Sequence, residues 1–172
     1  MRDLSLYAGS RSRERDVLRR KAVILDIDGS LCDTTEALPH LRDRRDFTAF
    51  YETTRSCPPH QEAITYARKR FDRGYALLVL TAREQKWREL TCEWLEANFP
   101  LPYDGPFMRA DGDTRPSHVF KREVYTHLSG IYDIRGALDD DPKVIDMWSS
   151  LGLIVTKGPG HHLWWSPDSD KE

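Results

Sequence analysis

Five short apolar segments punctuate the chain: AVILDID at 22–28, ALLVLTA at 76–82, GPFMRA at 105–110, GALDD at 136–140 and GLIVTKG at 152–158. The first two are continuous runs of Val, Ile, Leu and Ala. That pattern suits strands buried on both faces of a parallel sheet, where no solvent face imposes alternation. Between the runs lie helix patterns with clear stop and start signals. Pro58 and Pro59 open HQEAITYARKRFDRG, which stops at Gly74. Residues 84–98 form a second helix pattern, closed by Pro100. Residues 116–129 run from Pro116 to Gly130, and 142–151 from Pro142 to Gly152. Proline is tolerated in the first turn of a helix and glycine just past its end. Strands alternating with helices predict an α/β fold: a doubly wound, Rossmann-like, five-stranded parallel sheet. Ligands of such sheets bind outside the carboxyl ends of the strands.

The residues at those ends are acidic or hydroxylic. The first run closes on Asp26 and Asp28, which strand alternation would place on one side. Two converging carboxylates repel, and a divalent cation relieves that cost; oxygen ligands favour Mg²⁺ over zinc. Turn or capping acids are the alternative. A calcium loop of EF-hand type is excluded, because its sixth position is Leu31 in place of Gly and its twelfth is Ala37 in place of Glu. The second run closes on Thr81 and Arg83, a hydroxyl and a guanidinium suited to phosphate oxygens, although a threonine before a helix also serves as an N-cap. The fourth closes on Asp139, Asp140 and Asp141, either metal ligands or acids drawn to a helix N-terminus.

Composition narrows the class. A chain of 172 residues fits one domain with a real core. No apolar run reaches the roughly 18–20 residues of a membrane span, and the first residues carry no apolar signal segment. The three cysteines, Cys32, Cys57 and Cys92, are odd in number and lack CxxC spacing, which predicts free thiols in a reducing cytoplasm. Net charge is −2, but residues 1–21 hold seven basic and three acidic residues, so the rest of the chain is acidic. The organisation read from this is a basic arm at 1–20, a domain at 21–160 with a small flap at about 33–57, and a tail at 161–172. The arm is either a solvated segment or a contact for a polyanion. His161, His162, Trp164 and Trp165 in the tail read as packing residues.

The order Asp26-Ile27-Asp28-Gly29-Ser30, Thr81, Lys121, Asp139-Asp140 resembles the four motifs of the haloacid dehalogenase-like (HAD) phosphohydrolases over residues 22–158. The resemblance implies that Asp26 attacks phosphorus to form an aspartyl-phosphate and that Asp28 acts as acid and then base. It implies Mg²⁺ held by Asp26, the backbone carbonyl of Asp28, Asp139 and Asp140, with Thr81 and Lys121 on the phosphoryl oxygens. The short segments between motifs leave no room for a large cap, so the site is expected to be open to the end of a large substrate.

A narrower likeness joins LTAREQ, Arg109, Gly112-Asp113-Thr114-Arg115, Lys121 and LDDDPKVIDMW. Together these are similar to the 3′-phosphatase domain of phage-type polynucleotide kinase/phosphatases. That likeness implies substrate contacts by Arg83, Arg109 and Arg115, with a structural salt bridge an equal alternative for Arg115. It implies a nucleic-acid 3′ end as substrate; since GxxxxGK[ST] is absent from the chain, the phosphatase is expected to stand alone or to use a separate kinase or ligase partner. Two departures remove positive charge: Asp141 stands where the family often has an arginine, and so does Ala37. A phosphatase of nucleotides or another small phosphoester, and a catalytically silent module that binds phosphate ends, remain open readings.

Overall fold

The structure is a computed structural model that describes residues 19–160. In chain order it holds β1 (Lys21–Leu25), α1 (Leu38–Arg44), α2 (Phe47–Thr54), α3 (Gln61–Phe71), β2 (Ala76–Glu84), a 3₁₀ turn (Gln85–Trp87), α4 (Arg88–Asn98), β3 (Asp104–Arg109), α5 (Ser117–Leu128), β4 (Asp133–Asp139), α6 (Pro142–Ser150) and β5 (Ile154–Lys157). The strands form one sheet in the order β3-β2-β1-β4-β5, with every neighbour parallel. This is the doubly wound α/β sheet that the alternating runs predict. No helix among the described residues is long and apolar enough to cross a membrane.

Strand alternation divides the core in two. Val23 and Leu25 of β1, with Leu77, Val79 and Leu138, pack against α1 to α4 through Leu38, Leu41, Phe50, Ala63, Ala67, Trp94 and Leu95. Ala22 and Ile24, with Leu78, Leu80 and Ala137, pack against α5 and α6 through Phe120, Leu128, Val144, Met147 and Trp148. Helices on both faces explain the continuous apolar runs, since β1 has no solvent side.

Three details differ from the expectation. β1 ends at Leu25, and residues 26–32 turn back on themselves: Leu31 N donates to Asp26 O, and Cys32 N to Ile27 O. Alternation therefore does not extend to Asp28. β2 runs on to Glu84, so Thr81 and Arg83 belong to the strand itself. The segment 33–57 folds as two helices whose Leu38, Leu41 and Phe50 are buried in the first core layer. The indole Trp94 Nε1 fastens the end of that segment to α4, donating 2.8 Å to the carbonyl of Cys57. The basic arm up to residue 18 and the tail with His161, His162, Trp164 and Trp165 lie outside the described residues.

Replacing Trp94 by Phe keeps an aromatic ring but strands the buried Cys57 carbonyl, so Trp94→Phe is expected to cost about 1–3 kcal/mol. Trp94→Ala adds a cavity and is expected to cost about 3–5 kcal/mol. Urea unfolding of the two variants checks the order.

Candidate functional site

The chain order β1, β2, β3 runs outward on one side of β1, and β4, β5 on the other. The direction of winding thus reverses between β1 and β4, and the chain leaves the carboxyl ends of these two strands toward opposite faces of the sheet, the place where such folds form a crevice. Leu25 pairs with Leu138 in register, and Asp26 N donates 3.0 Å to Leu138 O. The next residue on each strand is therefore an aspartate beside an aspartate: Asp26 and Asp139. Asp140 follows, and one carboxylate oxygen from each of the three lies within 4.8 Å of the others.

All three are buried, at 5%, 0% and 2% exposure. Lys121 enters from α5, where it occupies the inward stripe shared with Phe120 and Leu128. Its Nζ donates 2.8 Å to Asp26 Oδ1 and 2.7 Å to Asp139 Oδ2. Trp148 Nε1 of α6 donates to the same Asp139 oxygen at 3.3 Å, and Asp139 Oδ1 accepts from Asp141 N at 3.2 Å. Burial opposes the charge on Lys121, but Asp139 and Asp26 overcome it and hold the ammonium far above lysine's ordinary pKa. Burial pushes the Asp26 carboxyl up; Lys121 opposes that rise, and Asp139 and Asp140 add to it. Three clustered carboxylates facing one ammonium leave a formal double negative charge, and their donors are all hard oxygens. A small divalent cation fits such a donor set.

Asp28 faces a different cation. Its carboxylate takes two bonds from Arg83, Nε at 2.9 Å and Nη2 at 2.5 Å. Arg83 is in turn held by Thr54 of α2 (3.1 Å) and Thr91 of α4 (3.2 Å), and its guanidinium lies 5.3 Å from the ring centre of Tyr51. Burial disfavours the guanidinium charge, and Asp28 overcomes it, raising the Arg83 pKa. The two acids of the first motif thus sit on opposite sides of the sheet end, Asp26 toward α5 and Asp28 toward α2 and α4. The carboxylate of Asp28 is not among the clustered metal-type ligands; the group is Asp26, Asp139 and Asp140.

The remaining predicted residues divide. Thr81 is buried on β2, and its hydroxyl accepts from Arg83 N at 3.2 Å. Arg109 is 8% exposed, lies over Phe120 at 5.3 Å, and donates through Nη1 to the carbonyls of Asp113 and Arg115. Its Nε is buried without a partner, and burial lowers its pKa. Arg115 points outward instead: it pairs with Asp113 and Glu123 and its side chain is 46% exposed. Asp141 caps α6, accepting 2.9 Å from Lys143 N, and Ala37 is buried in the core. Thr54, Thr91, Tyr51 and Trp148 join the site without having stood out in the sequence. Lone threonines and core aromatics carry no motif, and only their packing reveals the role.

Gly29 closes the arrangement. Its φ is +78°, and a Cβ there would lie 2.1 Å from Asp140 Oδ2. Gly29→Ala is expected to lose about 1–2 kcal/mol from the left-handed backbone alone and to displace the Asp140 carboxylate. The thermal stabilisation produced by divalent cation should fall with it, measured as the Tm difference with and without Mg²⁺.

The chain matches the family model for the polynucleotide kinase PNKP phosphatase domain, of HAD type, over residues 20–158. The "Putative bifunctional polynucleotide kinase/RNA ligase" of Autographa californica nuclear polyhedrosis virus is 27% identical over 135 residues, covering 77% of this chain and 18% of that protein. A chain in the structure of the Pnkp1/Rnl/Hen1 complex is 28% identical with a TM-score of 0.69, covering 83% of this chain and 47% of that one. This chain therefore spans less than half the length of either relative. The class C acid phosphatase of Bacillus anthracis, solved with tungstate bound, shares the fold alone at 11% identity and a TM-score of 0.62, over 88% of this chain and 72% of that one. With motif residues, sheet order and family model in agreement, the chain belongs to the PNKP phosphatase-domain family of HAD-type phosphatases.

Proposed function

We propose that this chain is a Mg²⁺-dependent phosphomonoesterase that works through an aspartyl-phosphate and removes 3′-phosphates from nucleic-acid ends. The observation that carries the reading is the buried group of Asp26, Asp139 and Asp140 around Lys121, placed where β1 and β4 diverge. Mg²⁺ bound by those carboxylates and the Asp28 carbonyl would neutralise charge between an attacking carboxylate and an anionic phosphate.

The chain's own residues then divide the work. A carboxylate oxygen of Asp26 attacks phosphorus, and the bond from phosphorus to the leaving oxygen breaks. Asp28 enters this half protonated and gives its proton to that oxygen, so an alcohol departs and the Asp28 carboxylate is left facing Arg83. In the second half, Asp28 takes a proton from water, whose oxygen attacks the same phosphorus. Inorganic phosphate leaves and the Asp26 carboxylate is restored. Arg83 orients Asp28 through its paired bonds. Lys121 holds Asp26 in line and, with Thr81 and the unpartnered Nε of Arg109, offers donors to phosphoryl oxygens. Arg115, committed to Asp113 and Glu123, supports the loop that Arg109 binds.

The nucleic-acid end as substrate is supported by the relatives. One is described as a polynucleotide kinase/RNA ligase, and another belongs to a complex with Rnl and Hen1. We place a separate kinase or ligase activity alongside this domain for the same reason.

Asp26→Asn is expected to lower turnover by roughly 10³-fold or more while the protein stays folded, measured as phosphate release and circular dichroism. Arg109→Gln should weaken turnover severely, whereas Arg115→Gln should stay within about threefold of the parent, since exposed ion pairs contribute little. Phosphate release from 3′-phosphorylated oligonucleotide, 5′-phosphorylated oligonucleotide and mononucleotides, each with Mg²⁺ and with EDTA, tests the substrate. Release is expected from the first alone and only with Mg²⁺; equal turnover of mononucleotides would overturn the end-processing reading.

A further inference from the structure

We infer that Phe47, Tyr51 and Trp87 form a stacking platform that receives the terminal nucleobase of a single-stranded 3′-phosphorylated nucleic acid. This rests on the proposed function and names the part of the site that reads the leaving group.

The argument begins with one helix face. Phe47, Tyr51 and Thr54 stand at positions i, i+4 and i+7 of α2, so they share a stripe. Its inner end is chemical: Thr54 bonds Arg83, and Arg83 bonds Asp28. Its outer end meets solvent: Phe47 is 50% exposed and the one aromatic among the large exposed hydrophobics of the described residues. Tyr51 bridges the two, with its ring over the Arg83 guanidinium and Phe50 packed edge-on against it at 5.2 Å. Trp87 comes from a separate element, the turn after β2, yet its ring centre lies 5.1 Å from that of Tyr51 at a tilt of 46°. Phe47 lies 6.4 Å from Tyr51 at 35°. Tyr51 packs its partly buried ring against the first core layer, and the exposed Phe47 and half-buried Trp87 form the outer margin of the cluster.

The direction of the chemistry selects the occupant. Asp28 protonates the leaving oxygen, so whatever that oxygen belongs to extends from the Asp28 side of the site. For a nucleic-acid end that group is the terminal sugar and its base. The aromatic stripe starts at the guanidinium paired with Asp28 and leads outward. The Arg83 guanidinium, paired with Asp28, lies at the inner end of the stripe against the Tyr51 ring, with π surface beyond it. This is the pairing of charge and ring that single strands bind, and it tolerates any base because every base has a stackable face. A base paired at a duplex end exposes only its outer face and is tied to the partner strand, whereas an unpaired base is free to turn toward the rings, so the occupant is unpaired.

The test uses the full chain with Mg²⁺ and three substrates: a 3′-phosphorylated single-stranded oligonucleotide, the same strand with an abasic terminal residue, and 4-nitrophenyl phosphate. The parent is expected to favour the intact end over the abasic end by about tenfold in kcat/KM, chiefly through KM. Phe47→Ala and Trp87→Ala should each shrink that preference several-fold and lower the ratio of oligonucleotide to 4-nitrophenyl phosphate turnover, while Phe47→Tyr retains both. Thermal unfolding confirms that the variants fold. No preference in the parent, preference kept in Phe47→Ala and Trp87→Ala, or an equal fall on all three substrates would overturn the platform. Failure of the proposed function gives a different result: hydrolysis of 4-nitrophenyl phosphate with no release from any oligonucleotide.

Discussion

Lys121 donates to two carboxylates that come from adjacent parallel strands, and much of the site's order follows from that contact. Acidic groups this close would separate or take up protons if left alone in a buried space. The ammonium holds Asp26 and Asp139 in place, and the remaining negative charge, shared with Asp140, creates the demand for a divalent cation. The contact also constrains the fold. It requires α5 to turn its inward stripe toward the carboxyl end of β1, and it requires β1 and β4 to be neighbours in register. Breaking one partner of a buried pair leaves an uncompensated charge, at a cost of about 3–5 kcal/mol. The site is therefore part of what ties the second core layer to the sheet.

A second ion pair, Asp28 with Arg83, does the same for the other face. Arg83 gathers Thr54 from α2 and Thr91 from α4, so the helices that cover the first core layer converge on Asp28. The two acids of one motif are thereby given separate environments. Asp26 lies among carboxylates and an ammonium. Asp28 lies against a guanidinium, with an aromatic ring above. The proposed roles of nucleophile and proton carrier call for different surroundings, and the turn at 26–32 provides them.

The segment 33–57 links these facts to substrate access. As α1 and α2 it buries Leu38, Leu41 and Phe50, and so belongs to the core. Its helix face also supplies Tyr51 and Thr54 to the Asp28 side of the site. Among the described residues no helix other than α1, α2 and α3 stands between β1 and β2.

Much of this was legible in the sequence. The apolar runs reported a sheet covered on both faces, because only a doubly buried strand dispenses with polar alternation. The acids at 26, 28, 139 and 140 and Thr81 could be placed at one edge because a parallel sheet brings its strand ends together, and the resemblance to HAD phosphohydrolases added Lys121, which stands on α5. Other features were decided by the tertiary structure. Period-two alternation put Asp26 and Asp28 together, but β1 stops at Leu25 and the turn sends them to different cations. A string of residues does not show where a strand ends once its hydrogen bonds are taken over by a loop. Arg109 and Arg115 have the same chemistry on paper; packing buries one over Phe120 and leaves the other paired at the surface. Tyr51, Thr54, Thr91 and Trp87 belong to no motif, and the i, i+4, i+7 spacing of Phe47, Tyr51 and Thr54 does not say what their stripe faces. Their roles depend on contacts between residues far apart in the chain, and those contacts are specified by the packing of α2 and α4 against the sheet.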